Sequence, residues 1–124
     1  MPFNFYPMKH FIIYHNPRCS KSRQTLDLLR QKGIDPQIIL YLEEPPSESD
    51  LANILDCLGM GPRELLRTGE IEYKELNLKD RTLDDSKIIK LMSENPKLIE
   101  RPIVVSSNRA IIGRPPENVL NLIN

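Results

Sequence analysis

Apolar and polar positions change period several times along this chain, and each change marks an element. Phe11-Ile12-Ile13-Tyr14 is a short apolar run of strand character that Pro17 breaks, whereas Ser20 to Lys32 carries good helix formers until Gly33 stops them. Gln37-Ile38-Ile39-Leu40-Tyr41 is a second apolar run, so the first third predicts a strand-helix-strand unit with parallel strands and a right-handed crossover. Glu43-Glu44-Pro45-Pro46 ends that strand. Ser47 with Asp50 resembles a capping box, and Leu51, Ile54, Leu55 and Leu58 form the apolar stripe of the helix it opens, which Gly59 to Pro62 close. Arg63-Glu64-Leu65-Leu66-Arg67 reads as a short helical turn. Thr82 with Asp85 predicts the cap of another helix, with Ile88, Leu91 and Met92 facing inward until Asn95-Pro96 stops it. Ile103-Val104-Val105 and Ala110-Ile111-Ile112, joined by Ser106-Ser107-Asn108-Arg109, read as a hairpin. Pro115-Pro116 then opens a final helix with Val119, Leu120 and Ile123 as its apolar positions.

Strand-helix-strand, a helical insert, then strand-strand-helix is the order of an α/β thioredoxin-like fold. It predicts a mixed four-stranded sheet with the helical insertion between the second and third strands. Residues 1–9, with two prolines and no periodicity, predict a loose extension in which Met8 is a candidate start, and residues 10–124 a single domain. Lysine plus arginine and aspartate plus glutamate cancel, 17 against 17, which argues against a broad basic surface for nucleic acid. No apolar run approaches the roughly 18 residues that span a bilayer, and the first eleven residues lack the apolar core of a signal peptide. A cytoplasmic protein that binds neither membrane nor nucleic acid is expected. Two cysteines far apart make no disulfide framework, and Cys and His show no metal-type spacing, so no metal site is expected.

The chemistry concentrates in His15-Asn16-Pro17-Arg18-Cys19-Ser20-Lys21-Ser22-Arg23. Cys19 falls where the first helix begins. Unpaired backbone N–H groups and the positive end of the helix dipole favour a thiolate there, and hold an oxyanion against it. Arg18, Lys21, Arg23 and His15 add positive charge or proton donors. Cys57 lies beside an apolar stripe with no basic cluster around it and reads as structural. Thioredoxin-type sites commonly use Cys-x-x-Cys, but the second position here is Ser22. An oxidised Cys19 must then be rescued by an outside thiol, while Ser22 can donate a hydrogen bond to the thiolate.

Three arginines lie at element ends. Arg67 ends the Leu-Leu-Arg turn, Arg101 precedes Pro102 at the start of a strand, and Arg114 follows the strand that runs to Gly113. In a thioredoxin-like domain Pro102 takes the place of the proline, often cis, that lies against the cysteine loop, which puts Arg101 beside it. Guanidinium groups bind tetrahedral oxyanions through paired hydrogen bonds.

The blocks His15-Asn16-Pro17-x-Cys19-x-x-Ser22-Arg23, Ile39-Leu40-Tyr41-Leu42-Glu43, Arg63-x-Leu65-Leu66-Arg67, Arg101-Pro102-Ile103-Val104-Val105 and Arg114-Pro115 resemble, in the same order, the glutaredoxin-coupled arsenate reductase family (ArsC type). The resemblance runs from about Ile12 to Leu122. It implies that Cys19 is the nucleophile, that His15 and Ser22 tune it, and that Arg67, Arg101 and Arg114 bind arsenate or a similar oxyanion. It further implies a covalent cysteine–arsenic adduct resolved by glutathione as co-substrate and by glutaredoxin, in a monomer with no bound cofactor. One departure is Gly113, which leaves no accessory cysteine before Arg114. Two rival readings are a regulator of the same fold that contacts RNA polymerase, which Ser22 in place of a second cysteine argues against, and a phosphatase. Cysteine phosphatases use Cys-x5-Arg, whereas the arginine here follows at Cys-x3-Arg.

Overall fold

A computed structural model describes residues 10–123; the extension expected over residues 1–9 lies outside the described residues. The chain runs β1 (Phe11–His15), α1 (Ser20–Gln31), β2 (Gln37–Leu40), α2 (Glu48–Leu58), α3 (Pro62–Leu65), α4 (Ile71–Glu75), α5 (Asp85–Glu94), β3 (Ile103–Ser106), β4 (Arg109–Ile112) and α6 (Leu120–Ile123). The four strands form one sheet in the order β2-β1-β3-β4, with β1 parallel to β2 and antiparallel to β3, and β3 antiparallel to β4. This is the thioredoxin-like arrangement, with α2 to α5 inserted between β2 and β3.

The sheet has a core on each face, and strand alternation sorts the side chains between them. Phe11, Ile13 and Val104 pack with Leu26 and Leu29 of α1 and with Val119 and Leu122. Ile103 and Val105 point the other way, into a cluster with Leu51, Ile54, Leu65, Ile88 and Met92 of the insertion. The same alternation carries His15, two residues beyond Ile13, to the α1 face, where it meets Ser22. A buried side chain such as Ile13 or Leu29, with no exposed surface, contributes about 2–3 kcal/mol.

Several elements differ in detail from the sequence pattern. The cap of α5 is Asp84, whose carboxylate accepts from the Lys87 N–H; Thr82, expected there, instead donates its N–H and hydroxyl to Asp80. The last helix is two pieces, a 3₁₀ turn over Pro116–Val119 followed by α6. Three residues per turn bring Val119 and Leu122 onto the buried face, so Leu122 takes the core place expected for Leu120 and Ile123, which are only half-buried. Helix α4 carries no buried residue and hence no apolar stripe to predict it. Strand β2 is an edge strand with Gln37 and Ile38 exposed. The hairpin turn narrows to Ser107 and Asn108, with Ser107 at a φ of 58°.

Candidate active site

Cys19 is the N-cap of α1. Its backbone is extended, its carbonyl accepts from Arg23 N–H at 3.0 Å, and no side chain caps the helix end. The first-turn amides and the helix dipole therefore act beside the sulfur without competition from an internal carboxylate. Cys19 is 8% exposed, and the Arg114 Nη2–H donates to its Sγ at 3.6 Å. The loop before it is fixed by Asn16, whose carbonyl accepts from Cys19 N–H at 3.0 Å and whose side chain accepts from Arg18 N–H at 3.0 Å.

His15 and Ser22 are both buried and pair across 2.6 Å between Nδ1 and Oγ; the Asn16 N–H also donates to that Oγ at 3.0 Å. Burial lowers the His15 pKa below its ordinary value, and the charges of Arg30 and Arg23 lower it further, so the ring is neutral near pH 7. Of the two roles open to His15, positive charge or proton donor, a neutral ring leaves the second, and the Ser22 hydroxyl, expected to donate to the thiolate, is instead tied to His15 and Asn16.

The peptide bonds Arg101-Pro102 and Arg114-Pro115 are cis, the first of them as the fold led us to expect. The three arginines are brought together unequally. Arg114 reaches the sulfur through Nη2, while its Nε donates to the Arg101 carbonyl at 2.8 Å. Arg67 is clamped by Glu70 at 3.3 Å and by Glu100 at 2.9 Å, and Arg114 Nε lies 3.1 Å from the same Glu100 oxygen. Arg101 serves through its backbone, and its Nε is buried with no hydrogen-bond partner. Arg63, in the same sequence block as Arg67, donates instead to the carbonyls of Leu78 and Asp80 at 2.8 and 2.5 Å and ties down the insertion.

A matching family profile decides what this constellation belongs to: the ArsC family covers residues 14–122. The chain belongs to the ArsC family. Over 90% of its length it is 50% identical to 97% of the arsenate reductase of Haemophilus influenzae, and over 93% it is 53% identical to 98% of the uncharacterised YfgD protein of Escherichia coli K12. The solved structure of an arsenate reductase from Vibrio cholerae superposes with a TM-score of 0.89 at 52% identity, covering 91% of this chain and 97% of that one.

Within this ArsC-family site two residues escaped the sequence reading. Glu100 gave no signal, because a lone glutamate before Arg101 is indistinguishable from surface charge. Tyr41 read as strand filling, yet it lies just beyond β2, nearly fully buried. Burial, together with Cys19 and Glu100 against the opposing pull of Arg67 and a hydrogen bond with Asn16, leaves its hydroxyl pKa pushed up to about 12. Tyr41 thus stands as a neutral O–H among the site's charges. Among the described residues no helix is long and apolar enough to cross a membrane, and no group of three or more His, Cys, Asp or Glu is placed to hold a metal ion.

Proposed function

We propose that this protein is a glutathione- and glutaredoxin-dependent arsenate reductase with Cys19 as its nucleophile. The observation that carries the reading is the Cys19 sulfur at an uncapped helix N-terminus with the Arg114 guanidinium 3.6 Å away. A thiolate and an anion-binding donor set side by side are what nucleophilic attack on a tetrahedral oxyanion requires. That relatives at half identity or better carry the name arsenate reductase supports the choice of oxyanion. The same relatives favour an enzyme over a polymerase-binding regulator.

The steps balance as follows. The Cys19 thiol condenses with arsenate, forming an S–As bond and releasing one water. Glutathione condenses with the adduct and a second water leaves. A glutaredoxin thiol then attacks the glutathione sulfur; the As–S bond to glutathione breaks, its electron pair stays on arsenic, and As(V) becomes As(III). Water cleaves the remaining As–S bond, releasing arsenite and restoring Cys19. The net change is one arsenate and two thiols to arsenite, one mixed disulfide and one water. Arg67, Arg101 and Arg114 are the groups proposed to bind the oxyanion and its adducts, and the Ser22 pair with His15 positions the loop that carries the sulfur. Two free cysteines suit the reducing cytoplasm this chemistry needs.

The test is arsenite production from arsenate by the purified protein with glutathione and glutaredoxin. Wild-type turnover, its loss in Cys19→Ser and its dependence on glutaredoxin are expected. No arsenite from the wild-type protein, or full activity without Cys19, would refute the proposal.

A further inference from the structure

Three donor groups converge on one oxygen of Glu100, two by hydrogen bond and the third by charge pairing. Arg67 Nη1 donates to Oε1 at 2.9 Å, the Arg101 backbone N–H at 3.1 Å, and Arg114 Nε stands 3.1 Å away. Two guanidiniums and an amide converging on one anionic oxygen form the donor set that an oxygen of a tetrahedral oxyanion takes. The Arg114 group that holds this oxygen also touches the Cys19 sulfur, so the held oxygen is one guanidinium away from the nucleophile.

Two further observations make the carboxylate an exchangeable occupant. The Glu100 side chain is 27% exposed and lines, with Arg114, Glu64 and Asn118, an open cavity of about 580 Å³ into which it can turn. The two guanidiniums are also matched before any substrate enters: Arg67 is paired with Glu70 and Glu100, and Arg114 with Glu100. A dianion added on top of these would place its charge in a partly buried site without compensation.

We propose that Glu100 is a specificity-determining residue whose carboxylate occupies the seat of the oxyanion and must be displaced for substrate to bind. The inference rests on the reading of Cys19 and the arginines as an oxyanion site. Binding is then an exchange of one anion for another. A doubly charged tetrahedral oxyanion outbids a carboxylate for two guanidiniums, and a singly charged planar anion such as nitrate does not. The apparent affinity equals the intrinsic affinity reduced by the fraction of molecules in which the seat is open. A strut that merely holds Arg67 and Arg114 in place would have the opposite sign, since its loss would weaken binding.

Titration calorimetry with arsenate, without glutathione, separates the two. Glu100→Gln is expected to bind arsenate about tenfold tighter than wild type, as removal of an occupant filling about nine seats in ten requires. Glu100→Asp, which keeps the charge one methylene short of the guanidiniums, should fall between, and the preference for arsenate over nitrate should narrow in both. Unchanged or weaker binding in the variants, or no binding at all, overturns the proposal. Should the Gln variant fail to fold, the Asp variant and the wild type with ¹³C-labelled glutamate carboxyls suffice. Arsenate must then shift one wild-type carboxyl resonance that Glu100→Asp lacks, and its constancy is refuting. Tighter binding without arsenite production would sink the reductase reading alone; arsenite production with weaker binding in Glu100→Gln would sink this inference alone.

Discussion

Arg114 Nη2 approaches the Cys19 sulfur to 3.6 Å across 95 residues of sequence. The contact joins the start of α1 to the segment leaving β4, and it sets a guanidinium charge beside the sulfur. Cys19 is nonetheless less accessible than Cys57, which is half-buried. Access and electrostatics therefore predict opposite orders of reactivity, which a pair of alkylating reagents can resolve. Anionic iodoacetate should outrun neutral iodoacetamide several-fold more at Cys19 than at Cys57, as judged by mass spectrometry of the labelled peptides. High salt should remove the difference by screening. Equal reagent ratios at both cysteines would show that the guanidinium does not gather anions there.

Arg114 also tests whether charge alone is enough. Lysine keeps the charge but cannot at once donate to the Arg101 carbonyl and to the sulfur while pairing with Glu100. Arg114→Lys should lose most of what Arg114→Ala loses, about 100-fold in kcat/KM for arsenate, the scale of one oxyanion donor. Steady-state kinetics decide it, and full activity in the lysine variant would reduce Arg114 to a bulk positive charge.

The place of Cys19 and the sheet were legible in the sequence because each leaves a local mark. The Pro17 break followed by helix formers placed Cys19 at a helix start, and the Ile103-Val104-Val105 run declared a strand. The wiring of the site was not legible. Ser22 could be read as a donor to the thiolate because the two residues are three apart on one helix. Its actual partner, His15, comes from the strand before the loop and is set by sheet alternation. Glu100 acquires its contacts only when the Leu66 segment pairs with Ile99 and β4 folds back on β3, which brings Arg67 and Arg114 to one oxygen from sequence separations of 33 and 14 residues. Helix α4 has no apolar period because it buries nothing, and the 3₁₀ turn changed which of the C-terminal leucines is core.

Ser22→Ala should destabilise the fold. Removing the hydroxyl leaves the buried His15 Nδ1 and the Asn16 N–H without their partner, at a cost of about 1–3 kcal/mol. Urea unfolding monitored by circular dichroism would read this as a lowered midpoint with an unchanged slope. A loss below a few tenths of a kcal/mol would mean that water replaces the hydroxyl.

His15 makes stability depend on pH in a predictable direction. Its folded pKa lies below the ordinary value of 6.5, chiefly through burial, so near and below that pH the unfolded chain binds more protons than the folded one. The stability contributed by a neutral ring is complete above about pH 6.5 and is lost as pH falls through the lower, folded pKa. Unfolding free energies at pH 7.5, 6.5 and 5.5 for wild type and His15→Gln should therefore converge on acidification. A gap that stays constant or widens toward low pH would contradict a buried neutral imidazole.

Gly113 fixes the distance between α1 and the end of β4, and through it the aim of Arg114. A Cβ at this position would collide with the Thr25 side chain and come within 2.9 Å of the Pro102 ring. Thr25 cannot easily give way, because its hydroxyl is bonded to the Lys21 carbonyl at 2.8 Å and faces the Gly113 carbonyl at 3.5 Å. Gly113 in turn donates its N–H to the Pro102 carbonyl at 2.9 Å. The close approach also explains why a cysteine beside Arg114 has no room in this chain. Gly113→Ala should cost about 1–3 kcal/mol by overpacking, and Thr25→Ser, which removes the methyl behind one of the contacts, should restore part of it. Thermal unfolding of the single and double variants reads the coupling directly. If Gly113→Ala is as stable as wild type, the packing of α1 against this strand end is looser than the contacts indicate. If it is destabilised while arsenate binding is unchanged, the aim of Arg114 is set by its bonds to Arg101 and Glu100 rather than by the glycine.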